Sequence, residues 1–108
     1  MKNTKVGNVM ILEVEIQTLN SANVKDFKNE MLTYLDSEEQ VLLDLSQLTF
    51  VDSSGLGAFL FCLKRLNQKG GKFKLCNITK PVRVLFELVR LHKVIEVFES
   101  RDAALETF

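Results

Sequence analysis

Apolar and polar positions change period along this chain, and the changes mark out its elements. From Val9 to Gln17, Val9, Ile11, Val14 and Ile16 alternate with Met10, Glu13, Glu15 and Gln17, with Leu12 breaking the pattern. This imperfect period of two predicts a strand near a sheet edge. Between Asn23 and Asp36 the period lengthens: Val24, Phe27, Met31 and Leu35 recur at three- and four-residue spacing. That predicts an amphipathic helix whose other face, Lys25, Lys28, Asn29 and Thr33, is solvated. Asn23 with Asp26 three residues later loosely matches a capping box with the acid shortened. Val41 to Leu45 is apolar apart from Asp44, and Leu48, Phe50 and Val51 carry apolar anchoring up to Asp52. We read this as one buried strand covered on both faces, running into a tight helix start at Asp52-Ser53-Ser54-Gly55. On that helix, a wheel at about 100° per residue puts Leu56, Phe59, Leu60, Leu63 and Asn67 on one side. It sets Ser54, Ala58, Phe61 and Arg65 along a different stripe.

Gln68 to Lys72 holds Gly70 and Gly71 and reads as a helix stop and turn, after which Phe73 to Ile78 alternates as a strand. Thr79-Lys80-Pro81 starts a further helix, because proline at the first turn forfeits no hydrogen bond. Val82, Leu85, Phe86 and Val89 are its expected core stripe. Val94 to Phe98 is a short strand candidate, and Ser100 is placed to cap a last helix through Leu105. Strands alternating with helices imply an α/β fold with a mostly parallel sheet and right-handed crossovers.

At 108 residues and 46% hydrophobic, the chain has apolar material for one core, and residues 1–108 read as one domain without repeats or linkers. Fourteen basic side chains balance 14 acidic ones, so no net field draws it to nucleic acid or to an anionic membrane. Cys62 and Cys76 lack Cys-x-x-Cys spacing and have a single histidine for company, which predicts buried free thiols in a reducing cytoplasm and no metal site. The polar start, Met1 to Lys5, is no signal peptide. The longest apolar run, Leu56 to Leu63, falls far short of the roughly 20 residues of a membrane span.

The chemistry concentrates in the serine turn. Asp and Ser are ordinary helix caps, since a side-chain oxygen can accept an orphan backbone N–H. Gly55 and Gly57, however, also strip side chains from the first turn, so that a protein or a phosphate could come close to the backbone. The whole stretch from Val41 to Gly57, ending in Asp-Ser-Ser-Gly-Leu-Gly, resembles the anti-sigma factor antagonist family, built on the STAS domain. The resemblance extends from about Val9 to Leu105, because element order and lengths match as well.

That resemblance implies a STAS fold, a mostly parallel central sheet with helices mainly on one face. It implies that Ser53, directly after the aspartate, is phosphorylated by a partner kinase. The unphosphorylated domain would bind a kinase-type anti-sigma factor and free a bacterial sigma factor for transcription, and a metal-dependent serine phosphatase would restore binding. The chain itself would need no cofactor, because ATP and magnesium belong to the kinase. Candidate partner-binding residues are Asp52, Ser53, Ser54, Gly55, Leu56 and Gly57, with Phe61 from the same helix and Asn20 from the turn that the resemblance places alongside. Phe61 is either an exposed anchor or packed under a neighbouring helix. The alternative is a STAS subunit without a phosphoswitch, in a membrane lipid-transport complex or a signalling scaffold.

Enzymatic use of Ser53 is not expected. A serine nucleophile needs a base within reach, the only histidine is His92 on a later element, and no Gly-x-Ser-x-Gly elbow occurs. Two positions depart from the family. Gln17-Thr18-Leu19-Asn20 stands where Gly-x-Leu-Asp or Gly-x-Ile-Asp is usual, replacing an acid by an amide. Arg90 stands where a glycine is usual, which leads us to expect a slightly longer helix there.

Overall fold

The computed structural model describes residues 1–108. In chain order the elements are β1 (Lys2–Val6), β2 (Val9–Glu13), β3 (Thr18–Leu19), α1 (Val24–Ser37), β4 (Gln40–Asp44), β5 (Phe50–Val51) and α2 (Ser53–Gln68). There follow β6 (Lys72–Cys76), α3 (Lys80–Leu88), a 3-10 turn at Leu91–Lys93, β7 (Val97–Phe98) and α4 (Arg101–Leu105). A five-stranded sheet runs β1-β2-β4-β6-β7. All its neighbours are parallel except β1, which pairs antiparallel with β2.

Side-chain alternation divides the sheet into two faces. Leu12, Val41, Leu43, Phe73 and Leu75 join the main core with residues of α1, α2 and α3. Val9, Ile11, Leu42 and Cys76 point the other way and pack with Ala104 of α4. Three helices therefore share one face, and short α4 covers part of the other. Phe59 ties the three together: its ring lies 6.0 Å from Phe27 of α1, edge-on, and 5.9 Å from Phe86 of α3. Such aromatic pairs add to what their burial already contributes.

Several expectations change. β2 does lie near the sheet edge, but it ends at Glu13 and the edge itself is β1. All five residues of β1 are exposed, and its lysines suit an edge that must not recruit other strands. The expected single strand to Asp52 is two elements. The Asp44 carboxylate accepts from the Ser46 amide at 2.9 Å and Leu48 N–H donates to the Leu45 carbonyl, closing a turn after β4. β5 then leaves the main sheet and pairs in parallel with β3, Thr18 opposite Phe50 and Leu19 opposite Val51. The capping box does not form either: Asn23 Oδ1 accepts from the Asn20 amide and its Nδ2 donates to the Thr18 carbonyl. Ser100 caps α4 as expected, accepting from the Ala103 amide at 3.1 Å.

On α3, Val82 and Phe86 are buried but Val89 is half exposed, so the core stripe is narrower than expected. The helix is not lengthened at Arg90. It ends at Leu88, and Arg90 adopts the left-handed conformation, φ 59°, where a glycine is usual in the family. The following strand shrinks to Val97–Phe98, leaving Val94 exposed. Cys62 and Cys76 are buried and unpaired, and burial pushes both thiols up to about 12.

The carboxyl end of the sheet carries an ionic cluster. Glu13 and Asp44 are register partners on β2 and β4. Arg101 at the start of α4 serves both, Nε donating to Asp44 at 2.7 Å and Nη2 to Glu13 at 2.9 Å. Asn77 adds a bond to Asp44 and Gln47 one to Glu13. No helix of the structure is long and apolar enough to cross a membrane.

Candidate functional site

The β3–β5 ribbon ends in two turns, Asn20-Ser21 and Asp52-Ser53, and their backbones are tied together. The Asp52 amide donates to the Leu19 carbonyl, and the Ser21 amide donates to Asp52 Oδ2 at 3.1 Å. Asp52 has extended backbone angles and serves as N-cap of α2. Its Oδ1 accepts from the Ser54 amide at 3.0 Å, the Gly55 amide at 3.1 Å and the Ser54 hydroxyl at 2.5 Å. The Ser54 hydroxyl bond does most to hold the carboxyl below its ordinary value, and the Gly55, Ser21 and Ser54 amides add to it against a partial desolvation.

This geometry separates two serines that differ by one position. Ser54 is half-buried and its hydroxyl is committed to Asp52. Ser53 occupies the first helical position, is exposed, and is left unclaimed by Asp52. An anion on Ser53 would lie at the positive end of the α2 dipole, close to the orphan amides of the first turn.

The remaining candidates divide between surface and core. Gly57 faces open space, since a Cβ built there meets nothing within 4 Å. Gly55 and Leu56 are buried. A Cβ on Gly55 would lie 2.4 Å from Val51 Cγ2 and 3.0 Å from the Leu19 carbonyl, so this glycine lets α2 settle onto the ribbon. Leu56 is buried in the same core. Asn20 does stand beside the serine turn. Its Oδ1 accepts from the Ala22 amide, a local turn that an amide closes without placing a second carboxylate near Asp52.

Phe61 packs partly buried against the main core, with Lys28 of α1 5.3 Å from its ring centroid. The adjoining Arg65 pairs with Asp36 of α1 at 2.9 Å. Of the two readings of Phe61, the packed one holds: its stripe is the seam between α1 and α2, which buries Ala58 and leaves Leu60 and Leu63 only half-buried. The His92 ring lies on the 3-10 turn after α3, its Nδ1 3.5 Å from the Phe86 carbonyl. Sequence reasoning missed Phe50, which is 54% exposed although we counted it as core. Neighbours on a strand face opposite sides, so Phe50 and Val51 cannot both be buried, but only the fold shows which of them points out.

The model of the STAS domain matches residues 1–104. BtrV of Bordetella bronchiseptica, named as an anti-sigma factor antagonist, is 35% identical over 91 residues, 83% of this chain and 78% of that one. A Thermotoga maritima crystal structure described as an anti-sigma factor antagonist superposes with a TM-score of 0.88 at 25% identity, covering 98% of this chain and 92% of that one. The phosphorylated form of the Bacillus cell fate determinant SpoIIAA shares the fold, with a TM-score of 0.67 at 20% identity and coverage of 98% and 96%. Sequence match, motif and topology agree, and the chain belongs to the STAS-domain family of anti-sigma factor antagonists.

Proposed function

We propose that this chain is a one-domain, cytoplasmic phosphoswitch: unphosphorylated, it binds a kinase-type anti-sigma factor and so releases a sigma factor, and phosphorylation of Ser53 ends the complex. A serine phosphatase resets it. The observation that carries the reading is the Asp52 carboxylate, which holds the Ser54 hydroxyl and leaves the Ser53 hydroxyl exposed at a helix start. The domain tolerates the added phosphate because the dipole and first-turn amides of α2 face it. A partner covering the turn does not. It must bury a group of about −1.5 to −2 charge beside ionised Asp52. At an effective dielectric of 20 to 80, such charges about 6 Å apart repel by roughly 1 to 5 kcal/mol. About 1.4 kcal/mol already weakens binding tenfold.

The test is incubation with the purified anti-sigma kinase of the source organism, ATP and magnesium, read by intact mass, with calorimetry of the unphosphorylated pair alongside. Wild type and Ser54→Ala should each gain one phosphate and Ser53→Ala none. Ser53→Ala should bind almost as wild type does, and Ser53→Asp at least tenfold more weakly. Full labelling of Ser53→Ala would falsify the assignment. Equal, tight binding by Ser53→Asp would favour a constitutive subunit instead.

A further inference from the structure

Phe50 is a large aromatic left out of the core. It is 54% exposed, its register partner Thr18 is polar, and so are the adjoining exposed residues Gln17 and Thr49. The ribbon does not need its ring for cohesion. Thr49 and Phe50 amides both donate to the Gln17 carbonyl, and the buried partners are Leu19 and Val51.

Its position gives the ring a use. β3 and β5 run parallel, so both deliver their turns to one end, and Phe50 precedes Ser53 by three residues, about 10 Å at the rise of a strand. A protein interface of ordinary size covers about 800 Å² per partner, a disc of roughly 15 Å radius. A kinase centred on the Ser53 hydroxyl and lying against the outward face of the ribbon is wide enough to cover Phe50 as well. We infer that the outward face of the ribbon, Phe50 and its register partner Thr18, extends the serine turn into the docking surface for the anti-sigma kinase, with Phe50 as the aromatic anchor filling an apolar pocket of that partner. Aromatics near the middle of an interface are the residues whose truncation costs most affinity. The inference rests on the phosphoswitch reading and names the recognition that precedes phosphoryl transfer.

Because Phe50 docks without touching the reacting atoms, its loss should appear in KM rather than kcat. With the purified anti-sigma kinase of the source organism as probe, Phe50→Ala should bind at least tenfold more weakly and raise the KM for labelling of Ser53 by a similar factor. Its kcat should stay within twofold and its Tm near that of wild type. Phe50→Tyr, which keeps the ring, should recover most of the affinity, and Thr18→Arg should weaken binding on its own. If wild type is labelled at Ser53 but Phe50→Ala and Thr18→Arg bind within threefold of it, the docking role is wrong and the switch stands. A binding loss explained by a lower Tm also overturns the docking role. If wild type is neither bound nor labelled, the switch falls and this inference with it.

Discussion

Ser53 and Ser54 are the same residue type in the same turn, and what distinguishes them is where one carboxylate points. Asp52 Oδ1 reaches forward to Ser54 and Gly55, as an N-cap does, and so engages the second hydroxyl rather than the first. The two glycines that follow are equally alike in sequence and opposite in surroundings. Gly55→Ala would drive a methyl group to 2.4 Å from Val51 Cγ2 and should destabilise the fold. We expect a loss of about 1–3 kcal/mol from this overpacking. Gly57→Ala meets nothing within 4 Å. Replacing a helical glycine there should stabilise by up to about 1 kcal/mol. Thermal unfolding of the pair checks this, and a greater loss for Gly57→Ala would show that α2 sits differently on the ribbon. The Asp-Ser-Ser-Gly-Leu-Gly motif was legible in the sequence. Which serine is free depends on where the Asp52 carboxylate points, and which glycine faces inward on atoms of Val51 and of Leu19, brought in from another strand.

The elements found most readily from sequence were those long enough to show a period. α1 and α2 span 14 and 16 residues, so their apolar positions repeat several times. β3 and β5 have two residues each, too few to alternate, and exist because Leu19 and Val51 meet across a parallel pair. β1 was hidden for a different reason: Lys2-Asn3-Thr4-Lys5-Val6 buries no side chain, and only its backbone pairing with β2 makes it a strand. The end of α3 was misread because sequence alone does not show that the chain must turn left-handed at Arg90. An L-residue pays roughly 1–2 kcal/mol for that conformation. Arg90→Gly should therefore stabilise by about 0.5–1 kcal/mol after the added freedom of the unfolded glycine is deducted. A higher urea midpoint with an unchanged m-value is the expected result, and a lower midpoint would mean that the arginine side chain supports the fold.

Across the whole molecule, the Arg101 cluster couples stability to pH. Burial works to raise the Asp44 carboxyl, but the Arg101 hydrogen bond, with Ser46 and Asn77, outweighs it and holds the group below its ordinary 3.8. A depressed carboxyl contributes stability above its unfolded value, and that contribution is lost as pH falls through the folded one. Arg101→Gln should cost about 2 kcal/mol at neutral pH, less than the roughly 3–5 kcal/mol of stripping a fully buried pair. Its guanidinium is one-third exposed and so already partly screened. The gap between wild type and variant should narrow as pH falls below the ordinary 3.8 and through the lower folded value, as Asp44 protonates and no longer needs a counter-ion. Denaturant melts at pH 7 and pH 3 measure this, and a gap that widened in acid would contradict it. The same cluster sets an order of assembly. Glu13 and Asp44 come side by side as soon as β2 meets β4, yet their shared cation lies 88 and 57 residues further along the chain. Until α4 arrives, that corner of the sheet holds two neighbouring anions with neutral donors but no cation, so it is expected to be the last part to close in folding and the first to fray. Because Asp44 also accepts from the Ser46 amide in the turn that sends the chain toward β5, fraying there reaches the base of the ribbon. Amide exchange at Val14, whose N–H donates to the Asp44 carbonyl, would time that opening.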